Sequence, residues 1–536
     1  MNRIKRMSGL LLGLMLSVLT VSPVLAASLQ EGLEHLAERD FDAISTGVSL
    51  IAASGDEQAA TLLKELQQGE LYRDKSSDQI VRIVAEVDGG YRVAPVTDSS
   101  AGYEVNKRGL RKVRINNSLR SQIRSALAEL ELRHPDADIR KRAVGELLGQ
   151  LDADSTALLT RLQAQEPDAG VREAMATALA LGQLQGDDPE AQREAIKTLA
   201  GSLEPQVRNA LLRVRDQSQD TELVAAADKA LALIEEKARL YGFAETLFFG
   251  LSLGSVLVLA AIGLAITFGV MGVINMAHGE LIMLGAYTTY VIQLLMPDQI
   301  GLSLFVAIPA AFLVSALVGI AIERGVIRFL YGRPLETLLA TFGISLVLQQ
   351  TVRSIFSPLN RSVATPEWMS GSLEINPLLS LTLNRLYIIL FCLIVFALLF
   401  MVLRRTRLGL QVRAVSQNRA MARAMGVRSE WVDAMTFGLG SGIAGVAGVA
   451  LSQLTNVGPN LGQAYIIDSF MVVVFGGVGN LWGTLVAGMS LGVANKVLEP
   501  YAGAVLAKIL VLVFIILFIQ KRPRGLFPQK GRAAEG

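Results

Sequence analysis

From Phe248 to Val273 the chain carries no charged residue. A helix needs roughly 20 apolar residues to cross the hydrocarbon core of a bilayer. In lipid no water satisfies the backbone, so each N–H and C=O must be bonded within the protein. The run therefore reads as a membrane-spanning helix. It ends in GVINMAHGELIMLGAY, Gly272 to Tyr287, which sets Asn275, His278 and Glu280 between apolar stretches. Ionisable groups at membrane depth are costly and face a protein interior or a water-filled path. A helix interrupted by glycine and polar residues there points to a transport site. A short aqueous loop between two helices fits the same residues.

Composition bounds the class. The 536 residues are 51% hydrophobic and 18% charged, with mean hydropathy +0.43. That is too apolar for a soluble chain of this length. The apolarity is uneven, with charge concentrated before about residue 240. A net charge of +2 gives no nucleic-acid footprint. Cys392 is the sole cysteine, so no intrachain disulfide forms. The histidines are His35, His134 and His278. No HExxH or CxxC spacing is present, so no metal site and no metalloenzyme are expected.

Residues 1–27 read as a secretory signal: Arg3, Lys5 and Arg6, then Leu10–Leu19, then small residues around Ala26. Residues 28–240 are expected to form an exported, mostly helical domain. Ile80–Val84 and Tyr91–Pro95 flank Asp88-Gly89-Gly90 and read as a β-hairpin. From about residue 119 a weak repeat appears. Asp136–Leu151 is echoed by Asp168–Leu184, and again by Glu204–Val214. Each unit starts with acid or proline, continues with Val/Ile-Arg, then places Ala and Leu at helical spacing. This resembles HEAT-type helix pairs stacked into a solenoid. Arg140, Arg172 and Arg208 of these units are read as structural or solvated.

Residues 241–528 are expected to be the membrane domain, with 529–536 a cytoplasmic tail. Candidate spans lie at about 244–272, 280–296, 302–322, 338–356, 386–403, 434–454, 464–479, 483–498 and 504–520. The fold class is thus all-α: eight or nine spans with broken helices, after a HEAT-like domain with a small β patch. Seven arginines and no acid lie between Leu403 and Ser429. By the positive-inside rule that loop is cytoplasmic. An exported N-terminal domain with a cytoplasmic C-terminus requires an odd count, which favours nine.

Two further motifs stand out. Arg413–Val432 holds a short stretch of small and basic residues from Asn418 to Met425, ended by Gly426. Small side chains let a partner surface approach closely. Tyr465–Gly488 contains Asp468, then an apolar run broken at Gly476-Gly477-Val478-Gly479-Asn480.

Asn275-x-Ala277-His278-Gly279-Glu280, followed by Met283-x-Gly285-Ala286-Tyr287, resembles the signature of ABC-type permeases for branched-chain amino acids and urea. Ala420, Ala422 and Gly426 sit where the coupling loop of such permeases has its Glu-Ala-Ala…Gly pattern, although the Glu is missing here. Tyr465–Gly488 resembles their C-terminal signature. The likeness covers about 242 to 528. Within the family the urea permeases look most similar, because of the long N-terminal extension and of Arg111–Ile123 within it.

The resemblance implies a subunit in the bacterial inner membrane, its N-terminal domain periplasmic. It implies a second homologous permease subunit, two cytoplasmic ATPases and a periplasmic substrate-binding protein as partners. No cofactor is expected on this chain; there is no GxxxxGK[ST] phosphate loop, and ATP would be used by the ATPases. Asn275, His278, Glu280, Asp468 and Asn480 become the expected translocation path, with the Gly476–Asn480 break placed opposite Asn275–Glu280. Arg413, Asn418, Ala420, Ala422 and Gly426 become the ATPase-coupling loop. Rival readings are a permease for branched-chain amino acids or short amides, and a membrane sensor with a periplasmic ligand-binding domain. No catalytic constellation supports an enzyme.

Overall fold

The computed structural model describes residues 22–528, apart from 57, 88, 98–100, 149–150, 152 and 187. The first 21 residues of the expected signal, and the tail from 529, lie outside the described residues. The chain divides into two compact units, 1–236 and 237–536.

The first unit opens with helices α1 (Ser22–Ala37), α2 (Phe41–Ala53) and α3 (Ala59–Gln68). A five-stranded antiparallel sheet follows, in the order β4-β3-β2-β1-β5. Its strands are β1 (Leu71–Asp74), β2 (Ile80–Val87), β3 (Gly90–Pro95), β4 (Tyr103–Asn106) and β5 (Leu110–Lys112). The expected hairpin is β2–β3, with Val81 opposite Pro95 and Ile83 opposite Val93. The other three strands are too short for alternation to register in sequence. Leu36, Ile51, Leu63, Leu66 and Leu71 join helices and sheet in one core.

Helices α4 (Asn117–Leu132), α5 (Ala137–Leu147), α6 (Ala153–Gln163), α7 (Ala169–Leu184), α8 (Pro189–Leu199) and α9 (Pro205–Gln217) share a second core with Leu223–Ile234. Their starts follow one rule. Asp136, Asp168 and Asp188 cap α5, α7 and α8, each accepting from a backbone N–H of the first turn. Arg140 donates to the carbonyls of His134 and Pro135, at 2.7 and 2.9 Å. Arg172 makes the same pair of bonds to Glu166 and Pro167. Arg140 also grips both oxygens of the Glu166 carboxylate, at 2.7 and 2.9 Å. Arg172 and Arg208 are exposed, whereas Arg140 is buried.

The second unit is helical: α10 (Thr221–Met271, which contains the division between units), α11 (His278–Leu295), α12 (Ile300–Gly325), α13 (Pro334–Phe356), a ribbon of β6 (Ser372–Asn376) and β7 (Leu379–Thr382), α14 (Leu383–Arg405), α15 (Arg407–Gln417), α16 (Arg419–Ala424), α17 (Ser429–Ser452), α18 (Leu461–Gly476) and α19 (Leu481–Lys521). Among the described residues six helices are long and apolar enough to cross a membrane. This is fewer than the eight or nine segments read from hydropathy. The segments at 280–296 and 464–479 fall on α11 and α18, which are not among the six. Those at 483–498 and 504–520 lie on either side of Gly503, a non-helical kink (φ 77°, ψ 159°) that joins two helices within the range of α19.

The centre of this unit is α17, buried along almost its whole length. It is built from glycine and alanine, so neighbours come to backbone contact. A methyl group on Gly285 of α11 would lie 2.0 Å from the Gly445 carbonyl of α17. Close approach through small residues is how helices associate where lipid offers no hydrophobic drive. Long apolar side chains point away from this core, among them Leu335, Leu339 and Val347 on α13.

Arg140 and Glu166 are both buried. Hydrogen bonding from Arg140 holds the Glu166 carboxyl below the ordinary carboxylate range, against the cost of burial. A depressed value adds stability that is complete above the ordinary range and is lost as pH falls through the lowered value. Arg140→Leu leaves the Glu166 carboxylate without its cation and is expected to destabilise the packing of α5 on α7. Hydrogen–deuterium exchange of the full chain should show faster exchange across Asp136–Leu184. The gap from wild type should narrow on acidification. Unchanged exchange would contradict a structural role for the pair.

Candidate functional site

Helix α10 stops at Met271 because Gly272 takes φ +68°, a left-handed conformation natural to glycine. The chain then turns back along the helix it has left. His278, the first residue of α11, places Nε2 2.8 Å from the Ala260 carbonyl. Ala260 lies roughly 16 Å from the end of α10 at about 1.5 Å rise per residue. The start of α11 therefore lies at depth beside α10 rather than at its end. Asn275, His278 and Glu280 are at most 1% exposed, which excludes the aqueous-loop reading.

The polar groups here are partly committed. The Asn275 side-chain oxygen accepts from the Ala277 N–H at 3.0 Å. A carbonyl can only accept, so His278 donates from Nε2, and Nδ1 is the acceptor of the neutral ring. Glu280 Oε1 accepts from the Ser345 hydroxyl at 3.0 Å and from the Gln349 amide at 2.7 Å. Thr341 Oγ1 accepts from the Met276 N–H at 3.1 Å. Four buried atoms of the region have no protein partner: Asn275 Nδ2, His278 Nδ1, Glu280 Oε2 and the Tyr287 hydroxyl. Two donors and several acceptors are thus left without a protein partner along α11 and the segment before it.

Thr341, Ser345 and Gln349 were not singled out in sequence. They form a stripe along α13 with Thr337, all four buried. The signal was present: polar residues every four positions, at 337, 341, 345 and 349, on an otherwise apolar helix face. Arg353 continues the row and bonds the Asn460 side chain at 2.7 Å.

The rest of the expected path disperses. Asp468 on α18 pairs with Lys508 of α19 at 3.2 Å, outside the Glu280 network. The Asn480 side chain caps α19 by accepting from the Gly483 N–H, and donates to the Phe527 carbonyl at 3.2 Å. The Gly476–Asn480 turn touches the last turn of α10, where a methyl group on Gly269 would lie 2.4 Å from Gly479 Cα. Its backbone also bonds the segment near the C-terminus, Leu526 N–H to Phe475 O and Phe527 N–H to Gly476 O. The element that meets α11 is instead the start of α18: a methyl group on Gly279 would lie 2.5 Å from the Gly462 carbonyl. The contact opposite Gly279 is therefore made by Gly462, and the Gly476–Asn480 turn lies against Gly269 instead. The second interruption at this contact is the segment before Leu461.

The basic loop folds as two helices, α15 and α16. Asn418 caps α16, accepting from the Met421 N–H at 2.9 Å, and Gly426 at φ +84° ends the turn after it. Ala422 is buried, while Arg413, Asn418, Ala420 and Gly426 are exposed. Arg419 holds both oxygens of Asp433 on α17, at 2.6 and 2.9 Å, and also bonds the Tyr331 hydroxyl before α13. Met421, Met425 and Trp431 are exposed beside it.

With that geometry in view, the second unit is the permease component of a transport system. Residues 246–519 match the family model described as branched-chain amino acid transport system, permease component. The permease protein BraD of Pseudomonas aeruginosa is 30% identical over 300 residues, 54% of this chain and 96% of BraD. LivH of Escherichia coli is 30% identical over 295 residues, 53% of this chain and 95% of LivH. The ribose import permease RbsC of Escherichia coli is 28% identical over 131 residues, 23% of this chain and 41% of RbsC. No solved structure matches. The chain belongs to the family of ABC-type branched-chain amino acid permeases.

Gln349→Leu removes the shorter of the two bonds to a buried carboxylate. It is expected to destabilise the membrane unit by about 1–3 kcal/mol, seen as a lower unfolding temperature of the purified chain. Leu346→Ala, on the exposed face of the same helix, should change it little. Equal effects would deny Gln349 its role at Glu280.

Proposed function

We propose that the chain is the permease subunit of an ATP-driven importer for urea. Substrate arrives from a periplasmic binding protein and passes the interrupted helices by alternating access. The observation that supports this reading is the buried polar segment Asn275, His278 and Glu280, with Glu280 held by Ser345 and Gln349 and with both donors and acceptors of the segment uncommitted. Urea is small and neutral, and it offers N–H and C=O groups together. The segment has the matching chemistry and no arginine or lysine among its members. The extension before residue 237, with Arg111–Ile123, supports the same choice. Its helices from Asn117 are read as a HEAT-like, exported solenoid. Asp468 and Asn480 act in this reading as structural residues flanking the path.

The second reading is a branched-chain amino acid permease, favoured by the names of the relatives. An amino acid brings a carboxylate, which would want a cation. Arg353, already bonded to Asn460, is the arginine one turn beyond Gln349. Uptake into vesicles with the partner ATPases and binding protein separates the two. Urea accumulation, with leucine neither carried nor competing, is the expected result. Leucine transport without urea transport would overturn the urea reading. Glu280→Gln should reduce urea uptake at least tenfold at equal insertion, as loss of a charge-assisted network warrants. Wild-type uptake in Asn275→Ala, His278→Ala and Glu280→Gln alike would remove the cluster from the path.

The partner ATPases would dock on Arg413–Gly426, where exposed Met421 and Met425 flank the α16 cap. A methyl group on Gly426 meets no atom within 4 Å, so a substitution there strains the backbone without a clash. Gly426→Val should leave the protein inserted, retain ATP hydrolysis by the assembled complex and lower uptake several-fold. Fully coupled uptake would leave the loop as a topological anchor only.

A further inference from the structure

A cavity of about 720 Å³ opens where three helix ends meet: the last turns of α10, the end of α14 and the start of α19. It is also lined by α15. Its walls are of two kinds. One is aromatic and apolar, with Phe400, Leu403 and Trp482. Trp482 packs edge-on against Phe396 and Phe400, at 5.2 and 5.8 Å between ring centroids, and is 53% exposed. The other is polar, with Arg404, Arg413, Ser416 and Asn480.

The two arginines are not consumed by the fold. Among the described residues no carboxylate lies within ion-pair distance of either. Arg404 rests over the Phe400 ring at 5.5 Å. Arg413 donates from Nη1 to the Leu403 carbonyl and so closes the end of α14; its remaining N–H groups stay available. Paired guanidinium groups bind phosphate through several directed N–H bonds. An aromatic shelf at the level of helix ends is where an amphipathic ring sits at a membrane surface. Anion chemistry on one wall and hydrocarbon on the other describe a single molecule.

We infer that this cavity holds one anionic phospholipid, its phosphate between Arg404 and Arg413 and its acyl chain along Phe400 and Trp482. The inference does not depend on which substrate the permease carries. A solvated basic loop explains the arginines as topology. It explains neither the cavity between them nor the aromatic wall opposite. Because α15 forms one side, the lipid would brace the base of the basic loop.

The test uses the full chain, purified in detergent and titrated with phosphatidylglycerol and phosphatidylcholine by native mass spectrometry. Wild type is expected to keep one phosphatidylglycerol in preference to phosphatidylcholine. A basic residue near a membrane surface is worth about fivefold in affinity for anionic lipid. Arg404→Gln should therefore weaken that binding about fivefold, and the double variant Arg404→Gln/Arg413→Gln about 25-fold. Arg405→Gln/Arg407→Gln removes as much charge from the same loop outside the cavity and should keep the lipid. Equal loss in that control, or undiminished binding in Arg404→Gln, would overturn the site. Should the double variant fail to elute as a single species, the Arg404→Gln single variant carries the comparison. Displacement of the lipid by millimolar inorganic phosphate or glycerol phosphate would assign the cavity to a soluble phosphate compound and overturn the lipid. Resistance to both supports it.

Discussion

The membrane unit depends on helix backbones meeting without side chains between them. At Gly279 and Gly462 an added methyl group on either residue would fall 2.0–2.5 Å from the opposite carbonyl. A methyl group on Gly285 would fall 2.0 Å from the Gly445 carbonyl, and one on Gly445 2.5 Å from the Ala311 carbonyl. A helix that begins inside the bilayer exposes its first N–H groups to a medium that cannot bond them. It survives there only when protein surrounds it. Backbone contact provides that enclosure, and α17, nearly all Gly, Ala, Ser and Val from Gly438 to Ser452, is the surface that permits it. The break after Met271 is therefore inseparable from the glycine pattern of a helix remote from it in sequence.

This explains which features were legible. The end of α10 at Gly272, the cap at Asn418 and the stop at Gly426 are local, and each is written in one or two residues. The repeated Asp starts of α5 and α7 are local as well. The partners of Glu280 are not. Ser345 and Gln349 lie some 65–69 positions away, and their four-residue spacing says only that α13 has a polar stripe, not what it faces. Asn480 has a local structural use. An Asn directly before an apolar helix is first of all an N-cap, and the structure uses it so. Asp468 looked like a group buried in the path because its partner, Lys508, sits in another helix.

The connection between loop and cluster is physical. Arg419 reaches two elements at once, Asp433 at the start of α17 and Tyr331 just before α13. Asp433 is 4% exposed, so this pair is largely shielded from solvent and screened little by salt. From Tyr331 the chain enters α13, whose stripe reaches Met276 through Thr341 and Glu280 through Ser345 and Gln349. A helix is stiff over such a length. Arg419 thus ties α16 to the entry of α13, whose stripe holds the Glu280 carboxylate, and, through Asp433, to the helix against which α11 is packed. The two ends of this lever differ in kind. One is a bidentate ion pair near the basic loop; the other is two hydrogen bonds to one carboxylate oxygen.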